Sequence, residues 1–435
     1  MPKRQYLHSY RRLILVVIIL VAIAAMLGSC VYPSYNGNES ALEEQQSVWQ
    51  YLNIYSIYQD RLPKVAGSMT PYDMFDMIHD TLHGARYTEY IDDRPGGGAF
   101  FPPDTEFGEP WPFTDATVYF YLPEFSDAAL DAFKYGLRTM SRYSNIIIDV
   151  RGNGGGLLSV SDAILGELLP RGTPYIKNRY RDYNSDKYAG ETLESVSLTT
   201  NSFPMLSDKK VAVLMDGGSA SASEILAAGL KDGAGAYLVG GTSYGKGIGQ
   251  VIIPIVANEK NKSLSITFLE ISGLTKRTGQ YHRVGIQPDP VPENIKNYVD
   301  DHVPNAEQTA EIQARAKELH AQYLYEYHQN IPVSTIRDWL IEALREEYYA
   351  LMLLEPDLRF VEEDEDTESD GTEADGESVA EMGKRRRATI GQNTQSAKKL
   401  CDITAKIYKA KARWRPMGAV VLDAKDLPDI KPSED

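Results

Sequence analysis

The sequence predicts a mixed α/β fold with helical segments at both ends. Short apolar runs such as Ile146-Ile147-Ile148 and Val211 to Met215 suit strands covered on both faces. Between 116 and 292 these runs alternate with stretches of helical period, the pattern of an α/β layer fold. Glycine-rich turns follow several of the strands. Composition agrees: of 435 residues, 43% are hydrophobic and 24% charged, which excludes collagen-like, wholly disordered and polytopic membrane chains. The length suggests two or three domains. With 61 acidic against 45 basic residues and a net charge of −16, the chain lacks the basic face that nucleic acid requires. Its 2 cysteines give neither a disulfide framework nor a cysteine-based zinc site.

The N-terminus reads as an address. Lys3, Arg4, Arg11 and Arg12 precede an unbroken apolar run, Leu13 to Leu27, followed by Gly28-Ser29-Cys30. Charge, short apolar run and small residues are the three parts of a secretory signal. The run falls short of the roughly 20 residues that span a bilayer. Its end resembles the bacterial lipoprotein box, in which the cysteine, here Cys30, becomes the lipidated first residue. The competing account is an uncleaved anchor helix. Both put the remaining chain in the cell envelope, outside the cytoplasm and tethered to a membrane. Cys401 has no second cysteine to pair with if Cys30 is lipidated.

The expected organisation is a signal peptide over 1–29, a polar tether over 30–45 and a helical segment over 46–92. A Gly/Pro-rich linker over 93–115 leads to the α/β core, 116–292. A second helical segment follows over 293–360, then an acidic and afterwards basic disordered linker over 361–395, and a segment with one helix and a short strand over 396–435. Within the core, strands are expected at Val118–Leu122, Ile146–Val150, Val211–Met215, Tyr237–Val239, Val251–Val256 and Ser263–Ile271. Helices are expected at Ser126–Tyr143, Asp162–Leu169 and Ser223–Lys231. The amphipathic stretches 305–328 and 334–354 either dimerise the protein or cover its site.

Three glycine-rich segments could carry chemistry. Asp149-Val150-Arg151-Gly152-Asn153-Gly154-Gly155-Gly156 follows a strand and precedes a helix, where bare N–H groups can bind an anion. A plain tight turn explains it equally well. In Gly218-Ser219-Ala220-Ser221-Ala222-Ser223-Glu224, a serine at a helix start meets the positive end of the dipole. Ser221 and Glu224 also fit an S-x-x-E capping box, which needs no catalysis. Gly240-Gly241-Thr242-Ser243-Tyr244-Gly245-Lys246-Gly247 admits a P-loop, a G-x-S-x-G elbow, or a lysine acting as base. The first two need a helix to follow, and a strand is expected. A buried lysine, by contrast, loses its proton because desolvation penalises the ammonium, and can then deprotonate a serine. A surface lysine in a glycine turn is the duller account.

Weaker patterns are His79-Asp80-Thr81-Leu82-His83, which lacks a third metal ligand, and two S-x-x-K matches, Ser207–Lys210 and Ser396–Lys399, without companion motifs. No metal and no cofactor is expected.

Taken together, these segments resemble the carboxyl-terminal processing, or tail-specific, protease family. Gly218 to Gln250 is similar to its catalytic signature: an S-A-S-A-S-E box, a helix, a V-G strand end and a G-K-G-x-x-Q box. Ile147 to Leu158 is similar to its D-x-R-x-N-x-G-G segment, and Val284-Gly285-Ile286-Gln287-Pro288-Asp289 to its G-I-x-P-D stretch. The resemblance covers roughly 116–292. It implies a Ser-Lys endopeptidase on a crotonase-like α/β core, acting on polypeptide substrates without a cofactor. Ser221 would be the nucleophile, Lys246 the base, and Gln250 the residue that orients it. The N–H of Ala222, with that of Gly155 or Gly156, would hold the oxyanion. Most members of the family carry a PDZ domain before the core; residues 93–115 are too few for one. A second reading is a catalytically silent polypeptide-binding lipoprotein on the same fold. A third, a nucleotide-binding protein using the Lys246 loop, predicts magnesium-dependent nucleotide affinity.

Overall fold

The computed structural model describes residues 41–64, 71–81, 89–91, 109–181, 192–255, 262–326, 328–361, 387–389 and 419–421. The signal segment, Cys30, most of the Gly/Pro linker, nearly all of the acidic and basic blocks, Cys401 and the helix expected after 396 lie outside the described residues, as do His83 and the side chain of His79.

The chain order opens with helix α1 (Ala41–Tyr55), helix α2 (Pro71–Thr81) and strands β1 (Glu89–Ile91) and β2 (Trp111–Pro112). Then come β3 (Thr117–Tyr121), α3 (Asp127–Met140), β4 (Asn145–Asp149), α4 (Leu158–Leu168), β5 (Pro174–Arg181), β6 (Thr192–Leu198), β7 (Lys210–Met215), α5 (Ala222–Ala234) and β8 (Tyr237–Gly240). The rest is β9 (Ile248–Ile255), β10 (Lys262–Ser272), α6 (Glu293–His302), α7 (Ala306–Glu326), α8 (Val333–Leu354), β11 (Arg359–Val361), β12 (Arg387–Thr389) and β13 (Ala419–Val421). β11 and β12 form a short parallel pair of their own.

One sheet has the order β2-β3-β4-β7-β8. β3, β4, β7 and β8 run parallel, and β2 joins β3 antiparallel. Each parallel step is bridged by a helix. Because strand side chains alternate between faces, Val118, Phe120, Ile146, Ile148, Val211 and Val213 pack against α3, α4 and α5. Their neighbours Tyr119, Tyr121, Ile147, Ala212 and Leu214 pack on the other face against α6, α7 and α8. The run Ile146-Ile147-Ile148 is thus buried on both faces, as a continuous apolar strand should be. The helices of 293–360 form the second helical layer of the core, packed on the face of the sheet opposite α3, α4 and α5.

The second sheet has the order β13-β9-β10-β5-β6, with β1 also on β10. Val48, Leu52 and Tyr55 of α1 and Met74 and Ile78 of α2 cover Val251, Ile253, Leu264 and Ile266 of this sheet. α1 begins at Ala41, inside the expected tether, because Ala41-Leu42-Glu43-Glu44 are strong helix formers. β5 and β6 were not expected from the sequence. β6 is an edge strand that is largely solvent-facing, so its Thr, Glu and Ser residues show no apolar alternation; pairing with β5 makes it a strand.

Boundaries follow local chemistry. Ser126 caps α3 by accepting the Ala129 N–H at 3.2 Å. α5 runs three residues past the expected Lys231 and stops at Gly235, whose left-handed φ of 66° lets its N–H reach the last-turn carbonyls. α4 starts a turn early, where the Leu157 N–H is anchored on the Phe125 carbonyl at 2.7 Å.

Candidate active site

Parallel strands present their carboxyl ends on one side, and in sheets of this kind that side is where ligands bind. The ends of β4, β7 and β8 there release the three glycine-rich segments in turn: 150–156, 216–221 and 241–247.

Asp216 joins the first two. Its Oδ1 accepts the N–H of Gly152 at 2.9 Å and that of Gly218 at 2.8 Å. A Cβ on Gly218 would sit 2.8 Å from the Gly152 Cα, so the backbones approach as closely as glycine permits. The Asn153 carbonyl accepts both the Ala220 N–H at 3.0 Å and the Ser223 hydroxyl at 2.8 Å. Ser219 Oγ donates to the Val150 carbonyl at 2.7 Å.

Glu224 joins the second segment to the third. Its Oε2 accepts the Ser221 N–H at 2.9 Å and the Lys246 N–H at 2.7 Å. Its Oε1 accepts the Gly245 N–H at 2.7 Å and the Ser243 hydroxyl at 2.6 Å. Burial pushes the Glu224 carboxyl up to about 7, against the downward pull of these donors. In the sequence Glu224 has a place in the S-A-S-A-S-E box and no role beyond capping. Nothing in S-x-x-E announces that the same carboxylate will take three donors from a loop about twenty positions on.

Ser221 stands at the N-cap of α5 with φ 56°, ψ −113°, a strained backbone for a residue with a side chain. The capping-box residues are in place. Even so, the Glu224 N–H donates to the Ser221 carbonyl at 2.9 Å, and Ser221 Oγ, though buried, has no hydrogen-bond partner of normal geometry. Lys246 is 1% exposed, so it is no surface lysine. Gln250, on β9, is buried and donates from Nε2 to Thr267 Oγ1 across the β9–β10 pair at 3.3 Å. Ser243 is held by Glu224 and by the Ile286 N–H at 2.7 Å. Strand β9 follows Gly247, so the segment lacks the helix that a P-loop or nucleophile elbow needs.

The anion-binding candidates divide. The Gly155 N–H donates to Asn153 Oδ1 at 2.8 Å. The N–H of Gly156 has no acceptor among the described hydrogen bonds, and neither has that of Ala222, whose position at the first turn of α5 leaves it without an intrahelical partner. Gly156 has φ 145°, and a Cβ there would lie 2.2 Å from the Phe125 carbonyl oxygen. Among the described residues no group of three or more His, Cys, Asp or Glu side chains is arranged to hold a metal.

The class defined by these features is an α/β protein with a buried, strained, uncommitted serine hydroxyl at a helix start and a buried lysine tied to the same carboxylate. Residues 116–291 match the family model described as Peptidase family S41, so the resemblance to the processing proteases holds over the core. The Carboxy-terminal processing protease CtpB of Bacillus subtilis (strain 168) is 33% identical over 175 residues, which is 39% of this chain and 32% of the relative. A Probable CtpA-like serine protease of Staphylococcus epidermidis is 30% identical over 166 residues, 38% of this chain and 30% of the relative. The chain therefore spans about a third of the length of the curated relatives it matches. A solved photosystem II D1 C-terminal processing protease aligns at 22% identity over 40% of this chain and 41% of its own, with a TM-score of 0.33, a likeness too loose to argue from.

Proposed function

We propose that this protein is a membrane-tethered, extracytoplasmic serine endopeptidase of the Ser-Lys type. The observation that carries the reading is the pair of bonds to Glu224, which ties the N–H of Ser221 and the N–H of Lys246 to one carboxylate oxygen. Two segments far apart in sequence thereby become one site.

In this reading Lys246, neutral in its buried position, takes the proton of Ser221 as Oγ attacks the peptide carbonyl carbon. The developing oxyanion is held by the N–H groups of Ala222 and Gly156, each such donor contributing on the order of 3 kcal/mol. Gly155, whose N–H is already engaged by Asn153, shapes the turn instead. Collapse breaks the C–N bond, and Lys246 protonates the leaving amine. Water then attacks the acyl carbon as Lys246 accepts its proton; Lys246 passes that proton to Ser221 Oγ as the acyl C–Oγ bond breaks, and the acid product leaves and ionises to a carboxylate. Gln250 supports the lysine from β9. The finer fold reading, a crotonase-like core, draws support from a parallel layer joined through Lys246 to a second, mainly antiparallel sheet. The tether is the lipid on Cys30, supported by the charge, apolar run and small residues before it.

The rival, a silent polypeptide-binding lipoprotein, has one observation in its favour: Ser221 is 1% exposed, so the nucleophile is covered. The two are separated by incubating residues 31–435 with an unfolded protein and following cleavage by mass spectrometry, with Ser221→Ala alongside. Cleavage that vanishes in the variant supports the peptidase. Binding without cleavage by the parent supports the rival.

A further inference from the structure

Behind the three loops, on the α8 side of the sheet, lies a second charged cluster. The Arg151 side chain is 2% exposed. Its Nη2 donates to Asp149 Oδ2 and to Glu347 Oε1, each at 2.6 Å. Its Nη1 donates to Glu346 Oε2 at 3.0 Å and to the Ala343 carbonyl at 2.9 Å. The Arg151 N–H donates to Asp149 Oδ1 at 2.9 Å, and the Tyr119 hydroxyl donates to the same carboxylate. Glu346 also abuts the start of the Lys246 loop, since a Cβ on Gly240 would lie 3.3 Å from its Oε1.

Asp149 alone would neutralise one buried guanidinium. Two further acids from α8 exceed what charge balance needs. Burial pushes Glu346 up to about 7 and Glu347 up to about 8 despite Arg151 beside them. These acids grip the residue that opens the Gly152–Gly156 turn. Both come from α8, beyond residue 291 where the family match ends.

We propose that Glu347, with Glu346 beside it, is a positioning residue: by holding Arg151 it sets the Gly152–Gly156 turn, so that the C-terminal helix aligns the anion-binding N–H groups of the active site. This rests on the reading in which Gly156 serves the oxyanion. What Glu347 offers Arg151 in this geometry is an acceptor oxygen at 2.6 Å, which glutamine keeps and alanine removes, so glutamine should substitute where alanine cannot.

The test uses the full chain from residue 31, in the parent and in Glu347→Ala, Glu347→Gln and Glu346→Ala. Peptidase kinetics are measured together with hydrogen exchange of the 150–157 backbone by mass spectrometry. Glu347→Ala is expected to lower kcat by about 10- to 100-fold with KM little changed, as a displaced turn should, and to speed exchange at 152–156. Glu347→Gln should recover most of both. A folded Glu347→Ala variant with parental kcat and parental exchange overturns the proposal. So does equal loss in the alanine and glutamine variants. If Glu347→Ala does not fold, Glu346→Ala decides, since it removes the acceptor of Arg151 Nη1: a smaller loss of kcat and faster exchange are expected, and parental behaviour overturns the proposal. If the parent itself cleaves nothing, the peptidase reading fails, and the exchange measurement alone decides the role of Glu347 in setting the turn.

Discussion

Replacing Gly156 with alanine tests the site at its narrowest point. The new Cβ would lie 2.2 Å from the Phe125 carbonyl oxygen and 2.8 Å from its carbon, at a φ of 145°. That oxygen is not free to retreat, because it accepts the Leu157 N–H at 2.7 Å. A backbone forced into so sparse a region costs about 1–3 kcal/mol, and overpacking about 1–3 kcal/mol more. The turn relieves the clash only by moving its own N–H. If that N–H serves the oxyanion, kcat falls by about 10²-fold, the loss of one donor. Gly235→Ala is the matched control: its φ is 66°, but nothing lies within 4 Å of its Cβ. It should cost about 1–2 kcal/mol from left-handed backbone alone and leave kcat unchanged. Urea unfolding gives the stabilities, and cleavage of an unfolded protein gives the rates. A folded Gly156→Ala variant with kcat within about twofold of the parent would refute the assignment of Gly156 as an oxyanion donor.

The remaining predictions concern the residues around it. Ser221→Ala should abolish cleavage without loss of melting temperature, since Oγ makes no hydrogen bond to lose; residual turnover would move the nucleophile elsewhere. Lys246→Ala should abolish cleavage too, and the parent's activity should rise with pH along a limb well below the roughly 10.4 of a free lysine; an active Lys246→Ala variant would end the dyad. Glu224 is raised from 4.5 to about 7 in the fold, so the folded state holds a proton that the unfolded state releases. Its contribution to stability is full below about pH 4.5 and is lost as pH rises through 7, a fall of about 3 kcal/mol. Urea midpoints of the parent and Glu224→Gln at pH 5 and pH 8 should show this extra fall in the parent only; parallel pH dependence in the two would remove Glu224 as its source. Cys30→Ala should abolish labelling by a fatty-acid analogue and release the protein from membranes, whereas continued labelling would disprove the lipid tether at that residue.

Periodicity alone gave most of the central sheet. A strand buried on both faces must be apolar without alternation, and β4 and β7 are. Ser221, Lys246 and the glycine turns that flank them also stood out in the sequence, because close backbone approaches and sharp turns need small residues whatever surrounds them. The edge strand β6 and its neighbour β5 were not legible, since their hydrogen bonds to neighbours, and not their side chains, make them strands.

What only the tertiary structure decided are the long-range ties. Glu224 reads as a cap from four residues of sequence and becomes the link between Ser221 and Lys246 only when β8 lies beside β7. Asp216 and Arg151 look like turn residues until the fold sets Gly152 and Glu347 against them. α8 has the amphipathic spacing of any surface helix, yet it carries the acids behind the site. A side chain's local pattern records which way it must face. Which partner it meets is settled by strand order and helix packing, and these depend on residues hundreds of positions away.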